Sequence, residues 1–180
     1  MQRICRHILV LLLLTAAPQM LYADSTSQEY KLKAAFIYNF IKFIDWPDGS
    51  SDSNDRRVSV CIFGENPFAD SLDQIVASGG VSGVSVSYYK KIDSGAKCHI
   101  AFVSGSEKGS IAADLAALQG RSIVTVSDID NFVEMGGTIQ LTLQEGKVRF
   151  YINEYSASRE RINISSKLLT LAAKVVAEPF

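Results

Sequence analysis

Hydrophobic and polar positions alternate along this chain in three distinct ways. From Glu29 to Pro47 apolar side chains cover most of a helical surface. At about 100° per residue, Leu32, Phe36, Ile37, Phe40, Ile41, Phe43 and Ile44 surround a narrow stripe of Lys31, Asn39, Lys42 and Asp45, and only Lys33 strays from it. A helix that apolar has to be enclosed on several sides. Pro47 disfavours helical geometry at Trp46 and sets a stop there. Asp24–Gln28 forms a polar lead with Ser25, Thr26 and Ser27 as capping candidates.

A second pattern follows the polar run 48–57. Val58–Phe63 is nearly continuous in apolar residues and reads as a central strand. Asn66-Pro67 then starts a helix, with Phe68, Leu72, Ile75 and Val76 facing inward. Val84–Lys90 alternates with period two, which predicts a strand with one wet face. His99–Val103 is a third strand, Ile111–Leu118 a helix stopped by Gly120, and Ile123–Val126 a fourth strand. Strands alternating with helices of about ten residues predict a parallel α/β sheet.

The third pattern begins after Val126. Asp128–Glu134 reads as a short helix, and Gly136-Gly137 leads into Thr138–Leu143. The turn Gln144–Lys147 and Val148–Ile152 complete an antiparallel hairpin, placed on the sheet edge. Asn153 can cap a helix over 154–162, and Ser165 or Ser166 one over 168–176. The expected fold is a single-domain, Rossmann-like three-layer α/β sandwich with a mostly parallel sheet and a C-terminal antiparallel hairpin.

The first residues change the picture of where this domain folds. Arg3, Arg6 and His7 precede a short apolar run, Ile8–Leu14, and a small-residue tail, Ala16–Ala23. That is the layout of a secretory signal peptide, shorter than the roughly 20 residues of a membrane span. Cleavage is placed after Ala23, with Ala16 or Ala17 as the alternatives; an uncleaved anchor is the competing reading. The expected division is a leader over 1–23 and one α/β domain over 24–180. The chain carries −1 overall. The leader holds two of its arginines and no acid, so residues 24–180 carry −3. That balance favours neither nucleic acid nor an anionic membrane surface.

Cys5 leaves with the leader, and Cys61 and Cys98 remain, an even pair in an exported chain. If the first and third strands are neighbours, a disulfide is within reach; two buried free thiols are the rival. A metal pair is weaker, because His99 is the only histidine beyond the leader and zinc takes three or four ligands.

Candidate chemistry is sparse. The chain has no nucleophile elbow, HExxH, Walker loop or Cys-x-x-Cys, so no catalytic residue and no cofactor is assigned. Ser104, Gly105, Ser106, Gly109 and Ser110 follow a strand and open a helix, where backbone N–H groups suit an anion. Any strand-to-helix turn needs such residues, so a structural turn is the stronger reading. Asp128, Asp130 and Glu134 read as capping and solvated carboxylates, and Arg159-Glu160-Arg161 as an exposed helical face. Partner contacts need exposed apolar residues; the candidates are Phe132, Met135 and Tyr151.

The segment Ala34–Pro47, ending Phe-Ile-Asp-Trp-Pro, resembles the opening motif of the YfiR/HmsC-like family of exported bacterial proteins. The cysteines at 61 and 98, the segment from Ile123 through Phe132 and Gly136-Gly137 to Asn153, and Ile164–Ala172 are similar to the same family. The resemblance implies a periplasmic, non-catalytic α/β domain. It implies as partner an inner-membrane diguanylate cyclase, repressed through its periplasmic sensor part, and an OmpA-like outer-membrane lipoprotein that sequesters the repressor. A second cysteine pair found in some members near the hairpin is missing here. The alternative is a periplasmic sensor of small molecules or anions. The sequence also leaves a homodimer open.

Overall fold

A computed structural model of the chain describes residues 18–47 and 57–178. The basic start and apolar run of the expected leader, and most of the polar loop before Val58, lie outside the described residues. The chain enters as α1 (Pro18–Phe40), a 3-10 turn (Ile41–Phe43) and β1 (Ile44–Asp45). Then come β2 (Val58–Phe63), α2 (Ser71–Ser78), β3 (Val84–Tyr89), β4 (Ile100–Val103), α3 (Ile111–Leu118) and β5 (Val124–Ser127). β6 (Ile139–Gln144), β7 (Lys147–Asn153), α4 (Glu154–Arg159), β8 (Asn163–Ile164), α5 (Ser166–Leu171) and β9 (Lys174–Val176) complete it.

Seven strands form one sheet in the order β3-β2-β4-β5-β6-β7-β9. All neighbours are parallel except β6 and β7, which pair antiparallel with Leu141 opposite Phe150. Glu145 and Gly146 both adopt positive φ, 50° and 73°, the geometry of a tight hairpin turn.

Alternation along the strands sorts side chains onto two faces. Val60, Ile62, Phe102, Val126, Leu141 and Phe150 join Ile37, Phe40, Ile41 and Leu72 under α1 and α2. Cys61, Phe63, Ala101 and Val103 meet Ile111, Leu115 and Leu118 of α3 on the other. The expected α/β sandwich is therefore the observed architecture. α1 is its centrepiece: Phe40 is 1% exposed, and its ring lies 5.2 Å from that of Phe150, with Phe36 5.6 Å from the same ring.

Several boundaries differ from the sequence reading, each for a local reason. Regular helix ends at Phe40 instead of Trp46, because Ile44 and Asp45 pair with Ile164 and Asn163 in a separate two-stranded sheet. The polar stripe of Lys31, Asn39, Lys42 and Asp45 is exposed as expected, whereas Leu32 is exposed rather than buried. The polar lead 24–28 lies within α1. α2 starts at Ser71, not Pro67, because Ala69 takes a positive φ of 47° and Asn66 instead caps a turn through the Phe68 amide.

Residues 128–134 form turns, broken by Asn131 at φ 60°, not a helix. α4 is shorter than expected, and Arg161 at φ 58° ends its continuation. The last expected helix is split: Ser165 caps α5 through the Lys167 amide, and Lys174–Val176 turns into β9 alongside β7. The hairpin is consequently interior on one side, and β2 lies second from an edge rather than at the centre.

Candidate functional site at the carboxyl ends of the parallel strands

From β2 the chain moves outward to β3 and then crosses to β4. The gap between the carboxyl ends of β2 and β4 is a topological switch point, where open α/β sheets hold ligands. Gly64–Asn66 leaves β2 there, and the Ser104–Ser110 segment leaves β4, so the sequence-predicted anion loop does occupy the switch point.

Here the two loops are clasped. Gly64 sits at φ 89°, and a Cβ on it would lie 2.4 Å from Ser106 Oγ. That hydroxyl accepts from the Glu65 amide at 3.0 Å and donates to Glu107 Oε1 at 3.0 Å. Ser110 Oγ donates to Asp114 Oδ2 at 2.7 Å. Ser104 is buried, with its amide on the Phe63 carbonyl. The hydroxyls at 106 and 110 thus serve the loop's own carboxylates, and Gly105 and Gly109 face open space.

Past β5, at the same ends of the strands, a second set of polar groups is paired internally. Lys33 Nζ lies 2.6 Å from Asp128 Oδ2 and 2.5 Å from Glu29 Oε1, and the residue is 4% exposed. Tyr30 donates its hydroxyl to the same Asp128 oxygen at 2.8 Å, and its ring lies 4.4 Å from Lys33 Nζ. Burial first, and then the Asp128 carboxylate, raise the Tyr30 pKa. Asp128 therefore does not face water: it fastens α1 to the end of β5. The sequence reading missed this cluster, although Lys33 off the polar stripe was its signal.

The cysteines lie away from these ends, Cys61 midway along β2 and Cys98 just before β4. Cys61 and Cys98 form a disulfide with Cα atoms 5.8 Å apart, permitted because β2 and β4 are neighbours. His99 accepts the Ser59 amide on Nδ1 at 3.0 Å, and the Trp46 indole packs edge-on at 5.5 Å. Burial lowers the His99 pKa. Glu160, expected on an exposed face, instead takes the amides of Gly120 and Ser122 at 2.8 and 2.9 Å.

The apolar contact candidates separate. Phe132 is 0% exposed and fills the core beneath Gly137, so it is not part of the surface. Met135 is exposed. Tyr151 is half-buried, and its hydroxyl accepts from Gln144 Nε2. Lys174 links Tyr151 to Glu134, the residue before Met135: it pairs with Glu134 at 2.6 Å and lies 5.9 Å from the Tyr151 ring. The hydrogen bond to Lys174 lowers the Glu134 pKa. Among the described residues, no group of three or more His, Cys, Asp or Glu side chains is placed to hold a metal ion, and no helix is long and apolar enough to cross a membrane.

The model of the YfiR/HmsC-like family matches residues 30–173. The chain belongs to the YfiR/HmsC-like family. Membership supports a periplasmic regulatory role and places the chain in a regulatory, non-catalytic family. No curated protein sequence matches the chain. Among solved structures, a conserved domain protein from Vibrio cholerae superposes with a TM-score of 0.56 at 13% identity, over 81% of this chain and 60% of that one. An ABC domain from Streptococcus pneumonia, solved in complex with L-Trp, gives 0.52 at 11% identity, over 66% and 55%. The YfiR/HmsC-like chain thus spans under two thirds of both neighbours, and at these identities the likeness is one of fold.

Proposed function

We propose that this protein is a periplasmic regulatory binding protein that represses an inner-membrane diguanylate cyclase by binding its periplasmic sensor part. Repression lowers cyclic-di-GMP and biofilm formation, and an OmpA-like outer-membrane lipoprotein releases the cyclase by sequestering the repressor. The family match over residues 30–173 carries the reading. The carboxyl ends of the strands support it, since Ser106, Glu107, Lys33 and Asp128, the polar groups there, are committed to one another rather than to a ligand. A domain built that way acts through its surface, and exposed Met135, next in sequence to the Glu134 that Lys174 pins, offers an apolar contact beside a charge pair.

Deleting the gene should raise cyclic-di-GMP and biofilm. An affinity-tagged copy should capture a membrane protein bearing a cyclase domain, and Met135→Asp should reduce that capture while the fold, followed by circular dichroism, is kept. Unchanged cyclic-di-GMP on deletion overturns the cyclase reading.

A further inference from the structure

At the start of β4 an imidazole does the work of a strand. β4 begins only at Ile100, which lies beside Val60 of β2. One residue earlier along β2, the Ser59 amide is taken instead by the side chain of His99, through Nδ1 at 3.0 Å. The His99 amide donates to the Ser59 carbonyl at 2.8 Å, and its carbonyl accepts the Val124 amide at 2.9 Å. That carbonyl also accepts the Trp46 indole N–H at 3.2 Å, and the two rings meet edge-on at 5.5 Å. Trp46, the residue after β1, is thus seated on His99 through both its ring and its N–H. His99 is 8% exposed.

Nδ1 accepts that bond only while it carries no hydrogen, so the neutral ring holds its proton on Nε2. A second proton has only Nδ1 to go to, where it meets the Ser59 N–H, donor against donor. The charged ring also needs water, which its buried seat denies it. Both penalties are relieved when the ring turns out of its place, and the indole packed on it then has to move. Among the described residues, the charged groups on the elements around His99 leave it no carboxylate partner. Arg57, Lys97 and Arg121, ahead of β2, β4 and β5, are cations. Asp45 of β1 is engaged by Asn163, Asp93 by the Gly95 amide, and Glu160 by the amides of Gly120 and Ser122.

We propose that His99 is a proton-operated latch: the neutral ring holds Trp46 and the end of β1 on the sheet, and the protonated ring releases them. The release is local, because the sheet itself does not depend on the ring. The Cys61–Cys98 disulfide and the backbone bonds of His99 to Ser59 and Val124 keep β2, β4 and β5 together in either state. Trp46 has less behind it, since β1 is two residues long and pairs only with Asn163 and Ile164. Burial sets the folded pKa of His99 below the ordinary 6.5. The latch is therefore closed above about pH 6.5 and opens as pH falls through the folded value.

The chain supplies its own reporters, because Trp46 is its only tryptophan and His99 its only histidine after His7. The purified exported protein is titrated from about pH 7.5 to about 4.5, the span in which an imidazole changes charge. The expected result is a reversible one-proton transition centred below pH 6.5. Across it Trp46 emission shifts to the red and acrylamide quenches it more strongly, while far-UV circular dichroism holds. In nitrogen-15 spectra of the wild-type protein, the Ser59 amide and the Trp46 indole N–H should move with the same midpoint as the His99 ring. His99→Asn offers an acceptor that does not titrate and should keep Trp46 seated over the whole span. Four results overturn the proposal: a ring that does not titrate above about pH 4.5, loss of emission with no red shift and no added quencher access, loss of circular dichroism at the same midpoint, or the same transition in His99→Asn.

Discussion

Replacing Lys33 by Met takes the positive charge from a site that holds two carboxylates. Lys33 is 4% exposed, and the Asp128 side chain 9%. Removing one partner of a buried pair costs about 3–5 kcal/mol, because the remaining charge is left without compensation. Two features move the value toward the lower end. Tyr30 still donates to Asp128, and the Glu29 side chain, 23% exposed, can turn to water. The expected loss is therefore about 3 kcal/mol, or roughly 1.5 M in urea midpoint at a slope of about 2 kcal/mol per molar. Trp46 is the chain's only tryptophan, and its fluorescence reports unfolding from the far end of α1. The double variant Lys33→Met with Asp128→Asn removes both charges and should recover at least about 1.5 kcal/mol of that loss. A single-variant loss below about 1 kcal/mol, or strictly additive effects in the pair, would refute the tie between α1 and β5.

Phe40→Ala should cost about 3–5 kcal/mol in the same assay, since the ring is buried against Phe36 and Phe150. Reducing the Cys61–Cys98 bridge, which closes a separation of 37 residues, should cost about 3–4 kcal/mol in the chain-entropy account; mass spectrometry of unreduced, alkylated protein should show the linked peptides. Gly137→Ala should destabilise by about 1–3 kcal/mol, because the added Cβ would lie 2.2 Å from the buried Phe132 ring. His99 has a folded pKa below its ordinary 6.5, so the unfolded chain binds the extra proton first. Stability from this group is complete above about pH 6.5 and falls as pH drops toward the folded value. His99→Asn keeps an acceptor for the Ser59 amide and should flatten that limb; equal pH sensitivity in the variant would count against His99 as its source.

The parallel sheet was legible because buried strands read as apolar runs and α3 has clean signals at both ends; its bounds, Ile111–Leu118, match the expectation. What the pattern missed depends on contacts between distant residues. Ile44-Asp45 looks helical by composition, yet Asn163-Ile164 offers it a ladder. Lys174–Val176 continues a helical period, but the carbonyl of Phe150 takes the Ala173 amide and draws the segment into the sheet. Positive φ at Ala69, Asn131 and Arg161 interrupts three expected helices at residues with no sequence mark of it beyond the asparagine. At the switch point, composition located the loop correctly. It gave no sign that Ser106 would be spent on Glu65 and Glu107, since that clasp needs the two loops side by side.

The hold on Lys33 also dictates an order of assembly. Asp128 lies 95 residues downstream of it, whereas Tyr30 meets Phe68 and Tyr38 takes the Val81 amide, both far nearer in the chain. The first helix can thus settle against α2 early, while its tie to β5 waits for Asp128. Closing that longer loop is slow relative to local contacts, so the Lys33–Asp128 pair forms after α1 and α2 have met. A slow kinetic phase lost in Lys33→Met would be the signature of that late closure.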